Sequence, residues 1–227
     1  MMNAALLQQK IDAGYARAAA QIGTTFTLYR PSGATAPNSP IVPGNIVTTL
    51  PASFNAEDMA YEKPARYGKA TWYCLVDGTQ TQPGDYLVGG GKIYFIAAQQ
   101  LALPILAVEC NRAVRIARMP VANGAGYAGY SAVVESQEVD VLGTQGAGGA
   151  FGSGWPASIL LGGKADKESV LPSGVKQSGV VILLPPSVPI MITEADVICD
   201  DLGREFAIEA AELTALGWRI LANEEHA

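Results

Sequence analysis

The N-terminal stretch alternates apolar and polar residues with the period of an α-helix. Residues 3–22 place apolar side chains at steps of three and four, which puts them on one helix face. Asn3 is a suitable N-cap, and Gly23 is suited to end the helix in a left-handed conformation. The pattern predicts an amphipathic helix that either covers its own domain or contacts a neighbouring subunit. The apolar stripe consists of Ala4, Leu7, Ile11, Tyr15, Ala18 and Ile22.

The rest of the chain shows short runs of β-branched, aromatic and alternating residues, separated by Gly, Pro, Asn and Asp, which predict β-strands. Residues 54–61 interrupt them with a predicted helical turn, and residues 143–154, of which six are Gly, predict a flexible loop or linker. The predicted strands cover residues 24–30, 46–50, 70–76, 85–88, 92–98, 105–110, 113–117, 132–141, 157–161, 180–184, 190–193, 196–199, 205–209 and 219–221.

Two segments of the chain resemble each other. Residues 84–101 align with residues 195–213 when one inserted residue, Leu202, is allowed, and Asp85 then falls on Asp196. Each segment has an acidic residue, a short strand, a glycine turn, a basic residue and a second alternating strand, which is the pattern of a β-hairpin. The similarity indicates two related β units within one chain.

These patterns predict a mainly β protein, in which an N-terminal amphipathic α-helix is followed by two related small antiparallel β-barrel or sandwich units. The predicted parts are the helix at 1–23, a first β domain at 24–120, a Gly-rich connecting segment at 121–154 and a second β domain at 155–227.

Composition narrows the class of protein. Of the 227 residues 49% are apolar, which excludes a disordered chain, and 16% are charged, with a formal net charge of −6. An acidic chain without a basic cluster is not expected to bind free nucleic acid as its main partner. We also predict no membrane span and no secretory signal, because no uncharged apolar run is long enough and the N-terminus lacks a basic segment before an apolar one.

The three cysteines fit neither a disulfide framework nor a zinc site, because their number is odd and their spacing is wide. Cys74, Cys110 and Cys199 are each surrounded by apolar residues. We expect buried thiols in a protein made in a reducing cytoplasm.

Catalytic patterns are incomplete. Residues 124–129 match the dinucleotide pattern G-x-G-x-x-G, but a strand-like sequence follows where a helix is required. The one histidine, His226, is next to the C-terminal residue, so a His-dependent triad or metal site is not expected. We predict no catalytic, cofactor-binding or metal-binding residues, and a chain that is not an enzyme. A paired-carboxylate hydrolase is the remaining enzymatic alternative, with candidates Glu57, Asp58, Asp77 and Asp85.

Three further groups of residues have a functional and a structural interpretation. An acidic group either binds calcium or, as its spacing favours, forms a hairpin turn. An aromatic group either packs in the core, as expected, or forms a carbohydrate-stacking platform. An arginine group at every third position faces either an acidic rim of a neighbour or solvent. The acidic group is Asp196, Asp200 and Asp201. The aromatic group is Trp72, Tyr73, Trp155 and Trp218, and the arginine group is Arg112, Arg115 and Arg118.

Nearly the whole chain resembles virion structural proteins of tailed bacteriophages that join head to tail, of the neck, connector or collar type. The resemblance lies in the layout of an N-terminal amphipathic segment, residues 23–31 and 63–68, the hairpin that starts at Gly84, the strands of 105–118 and the closing segment 195–220.

The resemblance implies a structural role without catalysis: many copies form a ring between portal and tail. Expected partners are further copies of the chain, portal or adaptor and tail proteins, with passage of DNA but no specific binding to it. The expected location is the virion, after synthesis in the host cytoplasm. Two alternatives stay open: another virion role, such as tail terminator, tail tube or capsid decoration, and a carbohydrate-binding β module.

Overall fold

The computed structural model describes residues 4–31, 38–56, 69–118, 139–162, 179–194 and 196–225. These residues form one α-helix and fifteen β-strands, with 3-10 turns at Pro43–Asn45 and Ala147–Gly149. The helix is α1 (Ala4–Ile22), and the strands are β1 (Thr24–Tyr29), β2 (Ile46–Ala56), β3 (Thr71–Leu75), β4 (Tyr86–Gly89), β5 (Lys92–Ala98), β6 (Ile105–Cys110), β7 (Arg112–Arg118), β8 (Val139–Leu142), β9 (Thr144–Gln145), β10 (Phe151–Ser153), β11 (Trp155–Leu161), β12 (Gly179–Leu184), β13 (Val197–Asp200), β14 (Glu205–Thr214) and β15 (Gly217–Glu225).

The first six strands form a closed antiparallel barrel in the order β1-β2-β3-β6-β5-β4, and pairing of β4 with β1 completes the ring. Its interior holds apolar side chains from every strand, as alternation along each strand requires. They include Phe26, Leu28, Leu50, Cys74, Leu87, Tyr94, Ile96 and Ala107.

The later strands form a second ring with the same connectivity. Its order is β7-β11-β12-β15-β14-β13, and β7 pairs with both β11 and β13, so the ring closes. Strand β8 adds to β7 outside this ring. Replacing β1–β6 of the first barrel by β7, β11, β12, β13, β14 and β15 reproduces its strand order.

The two barrels also share their residue register. Leu28 lies opposite Leu87 in the first barrel, and Ile116 lies opposite Ile198 at the matching place in the second. The prediction of two related β units is confirmed at the level of individual strand pairs.

Local irregularities are repeated as well. The register of β5 and β6 shifts after Ile96, and that of β14 and β15 shifts after Ile208, its counterpart. Pro51 in β2 and Pro156 in β11 occupy equivalent positions opposite β1 and β7. A bulge and a strand proline at matching sites are specific features, so the second barrel repeats the first in detail.

An arginine and a buried aspartate join the closing strands of each barrel. In the first barrel Arg30 donates from Nε and Nη2 to the two carboxylate oxygens of Asp85, at 2.9 and 2.7 Å. In the second, Arg118 makes the same two bonds to Asp196, at 2.7 and 2.8 Å. Both aspartate side chains are at most 1% exposed. Charge-assisted bidentate bonds of this kind are strong and fix geometry.

The surroundings of the two ion pairs agree down to the backbone. The N–H three residues before each aspartate, in Gln82 and Thr193, donates to its carboxylate at 2.9 Å. The backbone carbonyl of Asp85 accepts a hydrogen bond from the Ile96 N–H in β5, and that of Asp196 accepts one from the Ile208 N–H in β14. Each aspartate therefore fixes a turn, a hairpin and the closing strand at once.

One residue, Asn111, separates the two barrels, because β6 ends at Cys110 and β7 begins at Arg112. Its side chain bonds both backbone groups of Ile159, at 2.8 Å each, and its N–H donates to the carbonyl of Ala157. The junction is thus bonded to β11 on side chain and backbone.

Several predicted elements differ from the structure. Strand β2 continues to Ala56, so Phe54 lies in a strand rather than a helical turn, and residues 57–61 lie outside the described part. Residues 190–193 are not a strand, because Pro189 lacks a donor and the Thr193 N–H is bonded to Asp196. Residues 144–153 form the hairpin β9–β10 instead of a flexible loop.

The predicted division of the chain also differs at one strand. Strand β7, placed with the first β domain in the sequence analysis, pairs with β8, β11 and β13. Of the predicted strand at 132–141, residues 139–141 lie in β8 and 132–138 lie outside the described residues.

The packed face of helix α1 overlaps the predicted apolar stripe in part. Asp12 and Ala19 are buried, and Ile11, Tyr15 and Ala18 of the stripe are half-buried, whereas Leu7 and Ile22 are exposed. Gly23 follows the helix without a left-handed φ; it is required because a Cβ there would lie 2.7 Å from the Ala52 carbonyl oxygen. The contact with the barrel therefore combines part of the stripe with Asp12 and Ala19.

We expect Arg118→Met to lower the free energy of unfolding by about 3 kcal/mol, since it leaves the buried Asp196 carboxylate without its counter-charge. Arg112→Met is the matched control, because Arg112 lies 3.9 Å from Asp201 and both are exposed; such pairs contribute about 0–1 kcal/mol. Urea unfolding measures both variants, and equal losses would contradict the assignment.

Stability is expected to fall in acid through the same pair. Burial raises the pKa of Asp196, but bonds from Arg118 and Thr193 outweigh it, and the pKa lies below its ordinary value. A carboxylate whose pKa is lowered by folding adds stability above the pKa of the unfolded chain, about pH 4. This stability is lost as the pH falls through the pKa of the folded chain. Urea unfolding between pH 6 and 3 should give a steeper decline for the wild type than for Asp196→Asn, and parallel declines would refute this.

Candidate functional site

The two barrels pack tightly against each other. Tyr86 and Phe95 lie on the outer side of the first barrel and join the same buried cluster as Trp155 and Trp218 of the second. Tyr86 Oη donates to the Pro156 carbonyl at 2.9 Å, and both rings of the Tyr86–Trp155 pair meet edge to face. The barrels therefore share one core along this contact.

A groove of about 310 Å³ lies between the barrels where this contact ends. Its floor is the outer face of β3, β5 and β6, and its wall is the turn of the β14–β15 hairpin. We call it the inter-barrel groove, and its lining is almost wholly apolar. It comprises Thr71, Phe95, Ala97, Leu106, Val108, Leu183, Thr214, Ala215, Leu216, Gly217, Trp218 and Arg219.

A second depression, of about 200 Å³, adjoins the groove and shares Leu106 and Leu216 with it. Its other lining residues include Tyr73, Leu103 and Pro104. The two depressions adjoin at Leu106 and Leu216, between the β14–β15 turn and the β5–β6 turn, and we call them together the apolar channel.

Exposed leucines surround this channel. Leu101 is 61% and Leu103 52% exposed in the β5–β6 turn, and Leu213 and Leu216 are exposed at the matching hairpin of the second barrel. Ala102, between the first two, has a φ of +59°, an uncommon conformation for a residue with a side chain. Such positions occur where surrounding structure holds a strained turn, often at functional sites.

Helix α1 borders the same surface. Gln8 accepts a hydrogen bond from the Ala102 N–H at 2.8 Å, which ties the start of the helix to the strained turn. Next to Gln8, Leu6 and Leu7 are exposed, and Lys10 and Arg17 are exposed further along. The helix thus presents leucine and basic residues to solvent, and its one acid, Asp12, is buried.

Charge is divided unevenly between the two barrels. Residues 1–111 contain seven basic and seven acidic side chains, whereas residues 112–227 contain eight basic and fourteen acidic ones, so the net charge of −6 belongs to the second part. Glu205, Glu209 and Glu212 are exposed along β14, the strand that leads to the inter-barrel groove. An apolar channel that none of the described residues covers, with an acidic strand beside it, has the character of a protein contact site.

The acidic and basic residues singled out in the sequence are paired within the chain. Asp196 binds Arg118, while Asp200 accepts from the Leu202 and Arg204 N–H groups and binds the Arg204 side chain, so the hairpin turn is confirmed. Arg115 is buried and bonds Asp140 at 2.7 Å.

The two described candidate catalytic acids each have a structural partner of their own. Asp85 forms the ion pair with Arg30, and Asp77 accepts from Thr79 and Gln80 within its own turn. Burial raises the pKa of Asp77, but these bonds lower it below the ordinary value overall. Glu57, Asp58, residues 124–129 and His226 lie outside the described residues.

Two of the three tryptophans are core residues. Trp155 and Trp218 are at most 3% exposed, and Trp155 Nε1 donates to the Asn38 carbonyl, so part of the loop at 31–43 reaches the second barrel of the same chain. Trp72 is half-buried under the Lys92 ammonium, 5.7 Å from the ring centre. The burial leaves neither Trp155 nor Trp218 a free ring face for a sugar.

Cys74 and Cys199 are buried, and Cys110 is half-buried. Burial raises the pKa of Cys74 and of Cys110, which keeps both thiols protonated.

The open end of the first barrel forms a further cavity, of about 340 Å³. Phe54 stacks on Tyr94 there at 3.7 Å between ring centres, beside Lys92. The hydrogen bond that Lys92 donates to the Glu109 carboxylate raises the pKa of Lys92, and the two charged groups are 3.0 Å apart. The lysine of this cavity is therefore paired within the chain.

Among the described residues, no group of three or more His, Cys, Asp or Glu side chains is arranged to hold a metal ion. The one helix of this part of the chain is too polar to cross a membrane.

Comparison with known proteins gives no match: no family model, no curated protein and no solved structure is similar to this chain.

The inter-barrel groove was not predicted from the sequence, although two repeated features of the sequence lie beside it. The alignment of the hairpins places Leu101 on Leu213, both exposed, and the repeated Pro-Ala-Ser at 51–53 and 156–158 marks β2 and β11 as counterparts. Together these would have located the second barrel's first strands and the paired leucines at the barrel ends.

Loss of one interfacial bond should weaken the whole molecule. We expect Tyr86→Phe to cost about 1–2 kcal/mol, because the buried Pro156 carbonyl loses its donor while the ring stays in place. Thermal unfolding followed by calorimetry should show one transition that moves to lower temperature. Two separate transitions in the wild type would show that the barrels do not share a core.

Proposed function

We propose that this chain is a non-catalytic structural subunit of a tailed-phage particle, which assembles in many copies as a ring in the neck between portal and tail. The barrels form the wall of the ring, and α1 with the surfaces beside it contacts neighbouring subunits. The partners are further copies and the adjoining virion proteins, and DNA passes without specific binding.

The observation that carries the proposal is the apolar channel between the barrels, with its border of exposed leucines. Such a surface is costly to leave in water at about 25 cal/mol per Å² of apolar area, so it favours a chain that works in contact with other proteins. The position in the neck rests on the resemblance of the sequence layout to head-to-tail joining proteins.

Other virion positions, such as tail terminator, tail tube or capsid decoration, would use the same surface and differ only in location. The carbohydrate-binding alternative loses support, because burial of Trp155 and Trp218 leaves Trp72 as the only tryptophan with partial exposure.

The purified chain should form oligomers of one defined size, which sedimentation velocity measures at several concentrations. Purified virions should contain it in many copies, as quantitative mass spectrometry of the particle measures. A protein absent from virions, or present in one or two copies, would contradict the proposal. A chain that stays monomeric at all concentrations would contradict self-assembly.

A further inference from the structure

We infer that the exposed face of α1 of one copy docks into the inter-barrel groove of the next copy, in a head-to-tail contact. The inference deepens the proposed function by naming the two surfaces that meet. It rests on apolar match, on charge complementarity and on the anchoring of the helix.

No described residue covers the helix face that would dock. Leu6 and Leu7 are 52% and 40% exposed, and Lys10 and Arg17 follow on the same side of the helix. The opposite face carries Asp12, which lies so close to the loop at Gly78 that a Cβ there would be 2.5 Å from its carboxylate.

The helix cannot turn its leucines into its own groove while it stays in this position. Gln8 holds its start to Ala102, and its end is fixed where Gly23 meets the Ala52 carbonyl. The leucines point away from the first barrel, so the groove that receives them belongs to another molecule. A contact between two different surfaces repeats from copy to copy and closes into a ring when the rotation allows.

Charges on the two surfaces are opposite in sign. Lys10 and Arg17 are exposed on the helix, whose one acid, Asp12, is buried. Glu205, Glu209 and Glu212 are exposed along β14. The docked arrangement has Leu6 and Leu7 in the apolar channel and the two basic residues toward this acidic strand.

The remaining charged group at the groove does not oppose this arrangement. Arg219 lines the groove and lies directly opposite Glu212 in the β14–β15 register, so Glu205 and Glu209 supply the excess negative charge of this strand. Glu209 is bonded to the Asn223 amide, which leaves its negative charge in place.

The test uses the full chain with one surface changed at a time. Leu7→Glu changes the helix and Leu216→Glu changes the groove; each should raise the concentration for half-assembly at least about tenfold, because a glutamate must leave water in an apolar contact. Leu161→Glu is the matched control, since Leu161 is 80% exposed on β11 and outside both surfaces; it should assemble as the wild type does.

Mixing the two variants gives the decisive measurement. The Leu216→Glu chain keeps an intact helix and the Leu7→Glu chain keeps an intact groove, so an equimolar mixture should form heterodimers and nothing larger. Mass photometry counts these species, and dimer formation itself shows that both variants are folded. Monomers only in the mixture, or full assembly by either variant alone, would overturn the inference.

Charge reversal supplies a second pair of variants. Lys10→Glu with Arg17→Glu, and separately Glu209→Lys with Glu212→Lys, should each weaken assembly, and a chain with all four changes should recover it. Failure of recovery would count against the docking arrangement. If wild-type oligomers persist in every surface variant, the docking inference fails while the proposed function stands; if the wild type does not assemble, the proposed function fails too.

Discussion

Barrel closure depends on one buried carboxylate per barrel. The strands that complete each ring, β1 with β4 and β7 with β13, meet beside Asp85 or Asp196, whose desolvation is offset by an arginine and a backbone N–H. Burying this carboxylate without a partner would cost more free energy than the fold could offset. The arginine reaches the aspartate only when the closing strands are in register. The rest of each barrel is held by apolar packing, and the ion pair fixes the register of the two closing strands.

The sequence was sufficient for the features that are local. A hairpin needs alternating side chains and a glycine turn in one segment, so residues 84–101 and 195–213 could be recognised and aligned. The strand at β7 was also recognised, but its partners were not, because neighbours in a sheet are set by distant residues. The face of α1 that packs was predicted only in part: Ile11 and Tyr15 are half-buried, but the two buried residues, Asp12 and Ala19, lie beside the predicted stripe.

The candidate site was beyond local patterns for the same reason. The inter-barrel groove brings together strands from both repeats, and no single segment contains it. Its leucines look like core residues in the sequence, because exposure depends on where a strand ends relative to its barrel. The repeated Pro-Ala-Ser was visible, but its meaning requires two complete barrels to compare.

The two barrels differ at the hairpin ends beside the inter-barrel groove. In the first barrel, residues 99–104 form an irregular turn, whereas in the second β14 and β15 extend to Thr214 and Gly217 and lean over the first barrel. The ion pairs, bulges and prolines stayed the same. The ends that form the groove therefore differ between the barrels, as do β8, β9 and β10, which have no counterpart in the described part of the first barrel. The paired strands that close each barrel are kept.

The junction at Asn111 has a mechanical consequence. With a single residue between β6 and β7, bonded to Ile159 on its side chain and to Ala157 on its backbone, the chain has no hinge between its halves. A force on one barrel is therefore transmitted to the other through the continuous strand and its lateral hydrogen bonds. We expect the two barrels to move together as one rigid unit.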